Sequence, residues 1–168
     1  MVNLSYSAGG DYAPEARLLS IGSGREVDLR RRNSLPLVLV FHLQGTAAAA
    51  EEVNRAIRSR YTAGEVTVAS VVDLSLVPTL YWGTAWIVLR QAYELTVSEL
   101  PEGADPEEYV VILPDWGGWI TRAFGLRDTG YVAAVAVVDG SGVISGVHQG
   151  ERPGETTLDM LSEVVKNG

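Results

Sequence analysis

The apolar positions of this chain follow two alternating rhythms. Residues 35–43, LPLVLVFHL, are a continuous apolar and β-branched run, the pattern of a central strand covered on both faces. The next stretch changes to the helical period. Thr46 stands where an N-cap hydroxyl would accept from the free amides of a first turn, Glu51 and Glu52 come early, and Arg55, Arg58 and Arg60 lie toward the negative end. Residues 65–73, EVTVASVVD, read as a second buried strand, so strand, helix and strand predict a right-handed parallel crossover.

Pro78 is placed to start a second helix through TLYWGTAWIVLRQAYELTVSEL. Its apolar residues spread around much of the helix, which predicts contact on more than one side. The span is long enough, at roughly 33 Å, but Arg90, Glu94 and Glu99 argue against a membrane crossing. PEGADPEE reads as a polar loop, YVVILPD as a short strand, and WGGWITRAFGL as a short helix closing at Gly125. YVAAVAVVDGSGVISGVHQG gives two strands joined by a tight Asp-Gly-Ser-Gly turn. ETTLDMLSEVVKNG closes the chain as an amphipathic helix with Leu158, Leu161, Val164 and Val165 on one face. With no internal repeat or linker, residues 1–168 are expected to form a single domain.

Composition narrows the possibilities. A chain of 168 residues, 46% hydrophobic and 20% charged, can bury a proper core. A net charge of −8 argues against a general nucleic-acid or anionic-membrane binder, because both need a basic surface. The basic cluster Arg30, Arg31 and Arg32 is read as a solvated turn between strands. There is no cysteine, which excludes disulfides, cysteine–metal sites and every thiol reaction by this chain itself. The first residues contain no continuous apolar stretch of the kind a secretory signal needs, so a cytoplasmic protein is expected. His42, His148 and the scattered carboxylates lack metal spacing, and SIGSGRE lacks the setting and the Lys of a phosphate loop, so neither a metal nor a cofactor is expected.

The order of elements is that of a thioredoxin-like α/β fold. GDYAPEARLLSIGSGREVDL resembles the opening of the alkyl hydroperoxide reductase/thiol-specific antioxidant family, the peroxiredoxin-like redoxins. PLVLVFH resembles that family's core strand, DWGGWITRAFGL its D-x-x-G segment, and AVVDGSGVISGVHQG its late hairpin; only Leu74 to Glu108 falls outside. The resemblance implies a central mixed sheet flanked by helices, with an N-terminal β-hairpin extension and a helical insertion. It also gives HLQGTAAA a meaning. The family carries P-x-x-x-T-x-x-C at this junction; here His42 replaces the Pro, Thr46 keeps the Thr, and Ala49 takes the position of the peroxidatic cysteine. Read against the C-x-x-C of thioredoxins, Thr46, Ala47, Ala48 and Ala49 replace both thiols. The family's thiolate-stabilising Arg maps near Ala133, and no Pro occurs between Asp115 and Arg152 to supply a cis-Pro.

Thr46 is the one hydroxyl at this junction, and a Thr is a poor nucleophile without an adjacent base. His42 is either that base or a packed core histidine, and His148 is expected as a half-exposed strand residue. Asp115, Trp116 and Trp119, with Arg127, form a possible ligand or partner patch, set against a reading in which Asp115 caps the helix and both Trp pack inside. Tyr81, Trp82, Trp86 and Tyr93 mark a helix suited either to core packing or to a homodimer interface. The expectation is a redox-inactive binding or interaction protein on a thioredoxin-like scaffold, its partner a second copy or another protein. The alternative is an enzyme that borrows a thiol from a partner or works through Thr46 and His42.

Overall fold

A computed structural model of the chain describes residues 4–6, 10–31 and 34–167. The continuous apolar run becomes strand β4 (Leu37–His42), the centre of a six-stranded sheet of order β1-β8-β7-β4-β5-β6. Its neighbours are β5 (Thr67–Asp73), parallel, and β7 (Ala134–Val138), antiparallel. β6 (Ile112–Asp115) extends the parallel half, while β8 (Ile144–Gln149) and β1 (Leu4–Tyr6) extend the antiparallel half. A separate hairpin of β2 (Arg17–Leu19) and β3 (Glu26–Asp28) forms the expected N-terminal extension.

Strand alternation sends β4 side chains into two cores. Leu37, Leu39 and Phe41 join Val27, Leu29, Leu113, Ile120 and Phe124 beneath the hairpin. Val38 and Val40 join Val53, Ile57 and Leu161 beneath the helices α1 (Ala47–Arg58) and α5 (Pro153–Lys166). The turn between β7 and β8 is held by Asp139, whose carboxylate accepts from the amides of Ser141 and Val143 at 2.8 and 3.0 Å.

Several expectations need correction. The polar loop PEGADPEE contains a short helix, α3 (Pro106–Tyr109), because Asp105 accepts from the Glu107 amide and Pro106 presets the first turn. On α5 only Leu161 of the four expected face residues is fully buried, and Val165 is exposed. His148 is buried rather than half-exposed, with Nε2 at 2.9 Å from the Glu151 carbonyl. Nor are the arginines after β3 simply solvated. Arg30 donates from Nε to the Ala13 carbonyl at 2.6 Å and pairs with Glu15, and Arg31 reaches the Thr67 hydroxyl at 3.0 Å. Arg32 lies outside the described residues, as do residues 1–3 and 7–9 of the opening segment.

The largest departure is α2 (Trp82–Ser98), entered through a 3-10 turn at Thr79–Tyr81. Not one of its 17 residues is buried. An apolar helix predicts burial only if the fold has something to place against each face. Here the β2–β3 turn covers one side, with Tyr93 packed on Gly22, and among the described residues nothing covers the opposite one.

Candidate functional site

β4, β5 and β6 run parallel, so their last residues, His42, Asp73 and Asp115, share one edge of the sheet. The carboxyl ends of parallel strands are where open α/β sheets gather their ligands. Both the alanine-rich turn and the WGGW turn emerge here.

The chain leaves β4 through a 3-10 turn, Gln44–Thr46, and enters α1 at Ala47. Thr46 is buried, and its hydroxyl does not cap α1 as expected. Its oxygen accepts from the Leu43 amide at 3.1 Å, and it donates to the Thr129 carbonyl at 2.7 Å. The first turn of α1 carries no acid, since Glu51 and Glu52 begin one turn later. Ala48 is exposed and Ala47 and Ala49 are half-buried, so three of the four residues that the resemblance sets against C-x-x-C, Ala49 at the peroxidatic position among them, end in methyl groups.

The segment before β7 closes over this turn. A Cβ on Gly45 would stand 3.1 Å from the Gly130 carbonyl oxygen, so the two backbones already touch. Gln149 fastens the same segment by donating from Nε2 to the carbonyls of Arg127 and Val132 at 2.6 and 3.0 Å. Ala133, where the resemblance places an Arg, is buried at the start of β7. The sequence gives little warning of this closure, because Thr46 and Thr129 are 83 residues apart.

His42 does not serve Thr46, and no hydrogen bond joins them among the described residues. Its Nδ1 lies 3.2 Å from the Leu43 carbonyl. A carbonyl only accepts, so Nδ1 carries the proton and Nε2 a lone pair. Nε2 is buried and finds no partner among the described residues. Burial pushes the imidazole pKa below its ordinary 6.5, against the opposing pull of the Leu43 carbonyl. The ring lines a cavity of about 380 Å³ between β4, α1 and the C-terminal half of α2.

In the WGGW turn, Asp115 is fully buried and caps α4 (Trp119–Ala123). Its Oδ1 accepts from the Ile120 amide at 3.1 Å, and Oδ2 from the Thr121 amide and hydroxyl at 2.8 and 2.7 Å. Gly117 and Gly118 both adopt left-handed φ values of 80° and 71°. Gly118 has no room for a side chain, as its Cβ would lie 2.7 Å from Asp73 Oδ1. Trp116 stacks on Trp82 at 5.0 Å, whereas Trp119 is 46% exposed. Arg127 is exposed, and no hydrogen bond or ring contact links it to the other three patch residues among the described residues.

α2 divides by side. Trp82, Ala85, Leu89, Tyr93 and Val97 form a half-buried stripe turned inward. Trp82 donates from Nε1 to the Val77 carbonyl at 3.1 Å. Tyr93 packs on Gly22, where a Cβ would strike the ring. Trp82 and Tyr93 are therefore engaged within the chain. The residues turned outward are Tyr81, Ile87 and Val88, with Leu80 at the entry turn, while Trp86 is half covered by Arg90, whose guanidinium lies 5.3 Å from the ring centre.

Among the described residues no three His, Asp or Glu side chains converge as metal ligands, and no helix is long and apolar enough to cross a membrane. No protein-family model matches this chain, and no curated protein does. Solved structures do match. The pneumococcal exposed lipoprotein thioredoxin of Streptococcus pneumoniae is 20% identical, covers 89% of this chain and 99% of its own, and has a TM-score of 0.61. A putative thiol:disulfide interchange protein DsbE from Chlorobium tepidum is 18% identical over 93% of this chain and 96% of its own, at 0.61. An uncharacterized conserved protein from Geobacillus kaustophilus is 15% identical over 99% and 88%, at 0.68. The chain has a thioredoxin-like fold.

Proposed function

We propose that this chain is a redox-inactive, thioredoxin-like interaction module that self-associates through α2. The observation that carries the reading is a 17-residue helix with no buried residue and an outward apolar face. Leu80 is 85% exposed and Ile87 and Val88 more than half exposed, with Tyr81 beside them. Together they leave roughly 400–500 Å² of surface open, within the roughly 300–600 Å² that the largest, often functional, patch on a monomer reaches.

Charge favours a second copy as the occupant. The chain carries −8, so two copies repel across most of their surface. α2 carries one Arg and one Glu, and these pair with each other at 3.3 Å. Its outward face is therefore neutral, with Thr84 and Gln91 as the uncharged polar groups beside the apolar ones. An isologous pairing of two such faces brings no like charges together.

The redox part of the reading rests on composition and on the turn. No thiol is present, and the Thr46 hydroxyl is engaged at both its proton and its lone pair. We place the chain's ancestry with the alkyl hydroperoxide reductase/thiol-specific antioxidant redoxins on the strength of its GDYAP opening and the hairpin after Ala133. The test is native mass spectrometry at micromolar concentration, expected to give a dimer that Ile87→Glu converts to monomer. A monomeric wild-type chain overturns self-association, and reduction of hydroperoxide or insulin disulfides well above a buffer control overturns redox inactivity.

A further inference from the structure

We propose that the cavity beneath α2 is a binding site for a small, neutral, mostly apolar molecule that carries one hydroxyl or N–H donor, with His42 Nε2 as its acceptor. The cavity holds about 380 Å³, at the lower end of the range of small-molecule sites. Its walls are mostly apolar, with Val40, Val68 and Val72 from the sheet, Ala50 from α1, Leu89 and the rim residue Leu95 from α2, and Ser70, Asn54 and Thr96 as neutral polar groups among them.

Three observations select the ligand chemistry. The bond from Nδ1 to the Leu43 carbonyl fixes the tautomer, so the imidazole offers a lone pair and asks for a donor. That lone pair is the unsatisfied atom of the wall, and a buried polar group without a partner costs about 1–3 kcal/mol, which a ligand donor relieves. The lining also includes the carboxylates of Glu51 and Glu99, in a chain of net charge −8, and these repel an anion. A fatty acid or a phosphate is thus excluded, and a phenol or alcohol fits.

Access follows from the helix itself. Nε2 has almost no open area in this structure, so the ligand reaches it when the C-terminal half of α2 lifts, with the Nδ1 bond to Leu43 kept. Lifting the C-terminal half releases the half-buried Leu89, Tyr93 and Val97 but leaves the Trp82 bond to Val77 and its contact with Trp116 in place. The proposal does not depend on self-association, which is assigned to Leu80, Tyr81, Ile87 and Val88 and is read out by mass.

The probes are p-cresol, its methyl ether 4-methylanisole, and p-toluate, titrated into the full chain and followed by nitrogen-15 NMR of backbone amides and imidazoles. p-Cresol is expected to shift the amides around Val72 and Leu89 saturably and to move the His42 Nε2 signal. The ether, which lacks the donor, should bind at least tenfold more weakly, and p-toluate more weakly still. His42→Leu should bring p-cresol to the level of the ether, and Leu89→Trp, which fills the cavity from α2, should abolish binding of both. Equal binding of p-cresol and ether to the wild-type chain overturns the proposal. So does p-cresol binding that survives Leu89→Trp, or the absence of saturable shifts at these positions.

Discussion

Replacing His42 by Leu should make the protein more stable, and increasingly so as the pH falls. At pH 7.5 the imidazole is neutral in both folded and unfolded chains. Leu removes a buried nitrogen without a partner, a gain of about 1–3 kcal/mol, and loses the bond to the Leu43 carbonyl, worth about 0.5–1.5 kcal/mol. That carbonyl keeps the Thr46 amide at 3.1 Å, so no new orphan appears. The net expectation is a gain of about 1 kcal/mol.

The pH dependence has a definite sign. Burial lowers the folded-state pKa below the ordinary 6.5 of the unfolded chain. Below pH 6.5 the unfolded state therefore binds a proton that the folded state does not, and stability falls with a limiting slope of about 1.4 kcal/mol per pH unit. Between pH 7.5 and 5.5 the wild-type chain should lose up to about 1.4 kcal/mol through this residue, and His42→Leu none of it. Urea unfolding of both proteins at the two pH values measures this directly, with equal m-values as the check on two-state comparison. His148 and every carboxylate are common to both chains and cancel in the difference. Parallel pH dependences would refute the buried, neutral imidazole, and a destabilised variant at pH 7.5 would refute the orphaned Nε2.

Further outcomes follow from the same contacts. Asp115→Ala leaves two amides and a hydroxyl without their acceptor, and should cost about 3 kcal/mol or more, with hydrogen exchange rising first in α4. Thr46→Val keeps the shape but removes the link to Thr129, and should cost about 1–3 kcal/mol by chemical denaturation without altering the oligomeric state. Gly22→Ala forces a left-handed φ of 84° on Ala and drives its methyl group into Tyr93, so its melting temperature should fall, and Tyr93→Ala should restore part of the loss. Ala49→Cys places a thiol in the first turn of α1, and labelling at pH 7 should run faster than at a Ser98→Cys control; an inert thiol would overturn the assignment of Ala49 to the peroxidatic position.

What the sequence revealed depended on how local each signal was. β4, β5, β7 and β8 announce themselves by runs of β-branched residues that suit a sheet covered on both faces, and the β7–β8 turn by Asp139 and its glycines. α3 was missed although Asp105-Pro106 is a local signal, because four residues carry no period. Thr46 was located correctly but given the wrong partner, since its acceptor comes from a segment 83 residues away that no local pattern connects to it. α2 failed for a different reason. Its all-round apolar surface says that burial would be favourable, but whether the fold supplies a covering layer is a property of topology. With β6 at the sheet edge and the β2–β3 turn on one side, half of the helix has no neighbour among the described residues.

The two unusual parts of the molecule belong together. The Thr46–Thr129 bond and the contact of Gly45 with Gly130 tie the alanine turn to the segment before β7, while Ala48 stays exposed. No thiol stands at this turn, whose residues are Thr46, Ala47, Ala48 and Ala49, and no hydrogen bond joins His42 to Thr46 among the described residues. What stands out instead lies in Leu74 to Glu108, the stretch that falls outside every redoxin-like motif of the sequence. This stretch supplies both the outward apolar face of α2 and the inward wall over His42. On the proposed reading, binding belongs to this stretch and stability to the alanine turn. Substitutions on either side of α2 should then change what the protein binds, while substitutions in the alanine turn change only how stably it folds.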